Sequence, residues 1–216
     1  QQEAKQALRL EEKLNGNKYR EEIKDIFECI RMNSKKIQAR KLFNNNIVMI
    51  GFMGAGKSTV AEYLSTMFAM EVVEMDQIIA EREGMSIPDI FEVHGEQYFR
   101  DLETNLLIEM QSRKNVVISC GGGTPLRECN VVEMKKNGRV VLLTASPETI
   151  FDRVKDSHDR PVIENNKNVP FIADLMEKRR AKYEAAADII INTDGKSLIE
   201  VCEELVQQLL AMDENK

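Results

Sequence analysis

The sequence predicts an α/β fold: a three-layer α/β/α sandwich in which helices cover both faces of a five-stranded parallel sheet. Two observations carry the prediction. From residue 47 onward, short and nearly continuous apolar runs rich in Val and Ile recur, and helical patterns separate them. Strands buried on both faces lose the alternation of a half-exposed sheet, and a helix between strands is what a parallel crossover needs. Ligands of such sheets bind at the carboxyl ends of the strands, near a switch in strand order.

Taken in order, residues 1–43 read as helical. Ile23, Ile26, Phe27, Ile30 and Ile37 recur at three- and four-residue steps, the period of a helix with one apolar face. The stretch "LNGNKY" divides this segment into two helices and "NNN" at 44–46 ends it. Two such helices cannot bury their faces alone, so the segment is expected to pack on the main domain or on another chain. The division is therefore a helical segment, 1–46, and an α/β domain, 47–216. The expected strands are 47–50, 71–74, 116–119, 139–144 and 188–192. Helices are expected from near Lys57, Glu96, Leu126, Pro147 and Val169, with a last one from about Ser197.

Composition narrows the function. The 216 residues carry a formal charge of −6, which argues against a general nucleic-acid or anionic-membrane binder. No apolar run approaches the roughly 20 residues that span a bilayer, and the charged start "QQEAKQALRLEEK" lacks the apolar core of a signal peptide. Cys29, Cys120, Cys129 and Cys202 form no CxxC pair and read as free thiols of a cytoplasmic protein. His94 and His158 are isolated and give no zinc-ligand spacing.

"GFMGAGKST", residues 51–59, fits G-x-x-x-x-G-K-[ST] through Gly51, Gly56, Lys57 and Ser58. It follows an expected strand and opens an expected helix, the context a phosphate-binding loop (P-loop) requires. Glycines let the backbone turn its N–H groups onto a polyphosphate, and the helix N-terminus adds a positive dipole end. Gly54, Ala55, Gly56, Lys57, Ser58 and Thr59 are thus the candidate ATP cradle. Lys57 would contact the β/γ-phosphates and Ser58 would ligate Mg²⁺. No guanine-reading NKxD element follows, and the compact size favours a small-molecule kinase over a motor.

Further ordered motifs make a specific resemblance. "VVEMDQIIAEREGMSIPDIFEVHGEQYFRDLE" (72–103), "CGGGTP" (120–125), "DRP" (159–161) and "MEKRRAKYEAAAD" (176–188) join the P-loop in one order. From 51 to about 195 the chain resembles the shikimate kinases. The resemblance implies ATP and shikimate as substrates, Mg²⁺ as cofactor, and transfer to the 3-hydroxyl. It places Asp76 on the shikimate hydroxyls, orienting or deprotonating the 3-hydroxyl. Arg100 and Arg179 are placed at the carboxylate, where a guanidinium fork binds bidentately. Read alone, Arg100 could equally form a surface pair with Glu96, and composition does not choose between Arg179 and Arg180; only Arg179 is in register with Met176 and Tyr183. Gly121, Gly122 and Gly123 would offer backbone N–H groups, with Glu103 buttressing Arg100.

The polar stretch 153–169 reads as a flexible loop and, by resemblance, as a lid carrying Arg160 to the phosphates, with Arg153 packing on adenine. Lys57, Asp76 and Arg160 are the implied catalytic residues. Glu74 stands where the family has an aspartate reaching Mg²⁺, so the implied metal set is Ser58 and Glu74, with one methylene more than usual. Asn192 likewise replaces a frequent aspartate. Separately, residues 19–38 resemble the last helix of all-helical chorismate mutases, with Ser34 and Gln38 in register. The long first helix of that family is absent, so no mutase activity is expected. The intertwined dimers of such mutases imply a homo-oligomer through the front helices.

Overall fold

The three most apolar runs become the three central strands. In the computed structural model, which describes residues 9, 13–43, 45–155 and 168–214, the order along the sheet is β2-β3-β1-β4-β5 and every pairing is parallel. Here β1 is Asn46–Gly51, β2 Glu71–Glu74, β3 Val116–Ser119, β4 Gly138–Thr144 and β5 Ile189–Asn192. All residues of β1 and β3 are buried, whereas β2 and β5, at the edges, are only partly so. Burial on both faces is why β1 and β3 show no alternation.

The helices are α1 (Arg20–Leu42), α2 (Lys57–Phe68), α3 (Met75–Glu83), α4 (Ile87–Met110), α5 (Glu128–Asn137), α6 (Pro147–Val154), α7 (Val169–Ala186) and α8 (Leu198–Glu214). They make the outer layers of the three-layer sandwich. α2 packs on the sheet and on α8, while α5 and α7 both reach β4. The chain passes from β1 to one edge, returns through β3, and then crosses β1 to β4. Strand order therefore switches at β1, and the loop after β1 opens at that switch point.

The structure corrects two expectations. A helix was expected from Glu96, but α4 begins at Ile87, behind a Ser86 cap that accepts from the Asp89 N–H. A further helix, α3, fills 75–83. α4 is two helical pieces joined at Gly95, whose φ of 83° and ψ of 166° lie outside helical space. In the front segment, α1 is 23 residues long, and Ile26, Phe27, Ile30 and Ile37 of its apolar face are exposed on the single chain. Its end is held by Phe43, buried edge-on against Phe68 with ring centroids 5.1 Å apart.

Candidate active site

The P-loop is built as its sequence dictates. Gly54 and Gly56 hold φ of 75° and 98°, values that L side chains rarely adopt. Gly56 is the N-cap of α2, yet no side chain caps that end and its first turn carries no acidic residue. The helix therefore presents N–H groups and a positive dipole end to whatever enters the loop. Lys57 donates Nζ to the carbonyls of Gly51 at 3.0 Å and Phe52 at 3.1 Å, which aims its charge across the loop.

A cleft of about 930 Å³ opens here. Gly54, Ala55, Gly56, Lys57, Ser58 and Thr59 line it on one side; Glu74, Asp76, Gly121 and Gly122 line it on another. Glu74 ends β2 and Asp76 lies in the first turn of α3, so the chain is not extended between them. The two carboxylates reach one cleft from two different elements. The buried Oε1 of Glu74 has no hydrogen-bond partner among the described residues. Such an atom is costly unless something pairs with it, and a cation beside Ser58 fits that need. Among the described residues no three His, Cys, Asp or Glu side chains cluster as a metal site. A magnesium ion would thus take most of its ligands from phosphate and water.

The three glycines of 121–123 are each approached by a different side chain. A Cβ built on Gly121 would lie 2.6 Å from Asp76 Oδ1 and 3.0 Å from Glu103 Oε1. At Gly122 it would lie 3.7 Å from the Tyr183 hydroxyl and 3.8 Å from Arg179 Nη1, and at Gly123 it would overlap the Arg100 guanidinium. The loop is thus a floor without side chains, on which Asp76, Arg100 and Arg179 converge. Gly122 O accepts from Tyr183 Oη at 2.5 Å and from Arg179 Nη1 at 3.4 Å. Arg180 instead pairs with Glu177 at the surface, so of the two neighbouring arginines Arg179 is the one at the glycine loop.

Arg100 makes the surface pair and an interior one together. Its Nη2 lies 2.9 Å from Glu96, and its Nη1 lies 2.8 Å from Glu103, which is fully buried. The guanidinium also stacks near Phe91 and Phe99. Burial opposes the Arg100 charge, and Glu103 and Glu96 more than offset it, so the guanidinium is held protonated. Burial pushes the Glu103 carboxyl up, with Arg100 and then Thr124 pulling it back. Cys120, beside the glycines, is buried, and that burial pushes its thiol far above the ordinary range. It is a wall of the cleft rather than a nucleophile.

At the other end, Arg153 donates from Nη1 to Gly54 O at 3.0 Å and to Thr193 Oγ1 at 3.2 Å. Thr193, Lys196, Leu198 and Val201 line the cleft there, and sequence reasoning missed them. Asn192 is exposed at the end of β5 and accepts from the Asp194 N–H at 2.6 Å. Arg160, His158 and most of the 153–169 lid lie outside the described residues.

Comparison with known proteins gives the family. A family model described as shikimate kinase matches residues 53–210. A shikimate kinase from Persephonella marina is 42% identical over 164 residues, covering 76% of this chain and 98% of its own. A shikimate kinase from Acinetobacter baumannii solved with shikimate superposes at a TM-score of 0.73 with 32% identity, over 78% of this chain and 94% of that one. One from Aquifex aeolicus gives 0.68 with 38% identity, over 78% and 98%. A P-loop facing a three-glycine floor ringed by Asp76, Arg100 and Arg179, carried on a chain this similar along nearly the whole of its relatives, places the protein in the shikimate kinase family.

Proposed function

We propose that this chain transfers the γ-phosphoryl group of ATP to the 3-hydroxyl of shikimate. The observation that carries the reading is the convergence of Asp76, Arg100 and Arg179 on the glycine floor beside the P-loop. Two guanidinium groups suit the carboxylate of an acidic polyol, and Asp76 suits its hydroxyls. Gly121, Gly122 and Gly123 let the ring approach the backbone. Residues 54–59 cradle the phosphates, and Arg153, tied to both the P-loop and Thr193, borders the adenine end. Ser58 and Glu74 would hold Mg²⁺, which would supply neutralising charge to the phosphate oxygens. Lys57 stabilises the charge that builds in transfer, and Asp76 orients the attacking hydroxyl, since such transfer is mostly positioning and electrostatics. Arg160 completes the catalytic set on the strength of its "DRP" motif.

The kinase domain in this reading is 47–216, with 1–46 as a helical appendage, and the four free cysteines suit a cytoplasmic enzyme. Among the described residues no helix is long and apolar enough to cross a membrane. The half-buried Ile23 and the exposed Ile26, Ile30 and Ile37 of α1 follow a heptad spacing, which supports self-association through that helix. Sedimentation of the full chain against an Ile26→Lys/Ile30→Lys variant tests this, and identical monomers would end it. Substrate choice is tested by following ADP release with shikimate, gluconate and a nucleoside monophosphate panel. Turnover dependent on shikimate alone is expected; turnover on gluconate or a nucleotide instead would replace the reading.

A further inference from the structure

The glycine floor has no side chains of its own to hold it, so its position depends on bonds from outside. Gly121 O accepts from the Thr124 N–H at 3.2 Å, Gly123 O from Leu126 N–H at 3.1 Å, and Gly122 O from Tyr183. On the side of α4 the fixings are side chains in a closed ring. Arg100 pairs with Glu103; the other oxygen of Glu103 accepts from the Thr124 hydroxyl. Thr124 O accepts from Asn130 Nδ2 at 2.9 Å, and Asn130 Oδ1 accepts from the Thr104 hydroxyl at 2.7 Å. Thr104 lies one helical turn beyond Arg100, and its hydroxyl also reaches the Arg100 carbonyl at 3.0 Å. Asn130 is fully buried on α5 and is not among the residues lining the cleft.

An uncharged amide suits this place. One end of the side chain must donate to a carbonyl while the other accepts from a hydroxyl, and an amide does both without charge. Aspartate would set a buried carboxylate against the Thr124 carbonyl, and an apolar side chain would leave that carbonyl unpaired. Arg127 donates to Thr104 Oγ1 at 3.2 Å, which leaves the threonine's own proton for Asn130 or the Arg100 carbonyl.

Resting on the proposed shikimate phosphorylation, we propose that Asn130 is a positioning residue for the acceptor. By bridging Thr104 and Thr124 it sets the distance between the Arg100 helix and the glycine floor, the two surfaces that must grip one ligand together. The nucleotide end shares none of these bonds, so the effect falls on one substrate only.

The test compares Asn130→Leu, Thr104→Val and Thr104→Ser with the wild type in initial-rate kinetics, with Tm measured in parallel. Asn130→Leu removes both bonds of the bridge, and the shikimate KM is expected to rise about five- to tenfold, the size of a typical net hydrogen-bond contribution, with kcat and the ATP KM within about twofold. Thr104→Val, which breaks the same bridge from its other end, should move the shikimate KM in the same direction, and Thr104→Ser should restore it. A shikimate KM unchanged in both folded variants overturns the proposal, as does a shikimate KM and ATP KM rising together. If Asn130→Leu does not fold, the Thr104 pair decides alone. A wild type without shikimate-dependent turnover would refute the substrate assignment instead, a distinct result seen before any variant is made.

Discussion

A methyl group at residue 123 probes the acceptor end more sharply than any charge reversal. The Cβ of Gly123→Ala would fall inside the Arg100 guanidinium, so the arginine must move. It has little room, being only 15% exposed and held by Glu103, Glu96, Phe91 and Phe99. Losing one charge-assisted hydrogen bond costs about 1.5–3 kcal/mol, which converts to a rise of roughly 10- to 150-fold in shikimate KM at about 1.36 kcal/mol per tenfold. Part of the loss also appears as stability, because Glu103 is fully buried and its partner is displaced. Steady-state kinetics with shikimate and ATP varied in turn would measure the first effect, and urea denaturation the second. The ATP KM should stay within about twofold, since the partners of the displaced Arg100 are Glu96 and Glu103 on its own helix rather than the P-loop. A folded Gly123→Ala enzyme with wild-type shikimate KM would refute the placement of Arg100 on the acceptor.

Other outcomes follow from the same geometry. Glu74→Asp shortens the side chain whose buried oxygen has no partner among the described residues; its Mg²⁺ concentration dependence should change while the shikimate KM stays nearly constant, and a change in that KM alone would put Glu74 on the substrate. Asp76→Asn should bind ATP as the wild type does, by calorimetry, and lose phosphoryl transfer; wild-type kcat would remove the role. Burial raises the Glu103 carboxyl pKa, so the folded state holds that proton more tightly than the unfolded one. Its contribution to stability therefore falls as pH rises from the ordinary glutamate value to the raised one. Denaturation curves across that window should show a flatter pH dependence in Glu103→Gln; an identical slope would mean that another group sets it.

The sheet was legible because its chemistry is local. A run such as "VVIS", apolar without alternation, suits a strand buried on both faces of a parallel sheet, and β3 is Val116–Ser119 as expected. The P-loop was legible for the same reason, since each glycine and the lysine answer to a phosphate. Residues 75–94 were harder. Polar residues weaken the apolar stripe of α3, and Gly84 and Gly95 punctuate the run, so neither α3 nor the first part of α4 stood out. Asn130 carries no sequence signal at all: its meaning lies in two partners 26 and 6 residues away. Thr193 and Lys196 were missed because a polar loop bordering a cleft looks like any other loop. For α1 the helical period was readable, but not that its apolar face would stand exposed.

The most direct measurement of the central claim is the structure of the product. The enzyme, ATP, Mg²⁺ and shikimate would be incubated to completion, and the phosphorus-to-proton coupling of the product recorded by NMR. The account predicts one phosphate coupled to the proton on C3, formed in step with ADP. Phosphate on another carbon, or ADP formed without any phosphorylated shikimate, would contradict it.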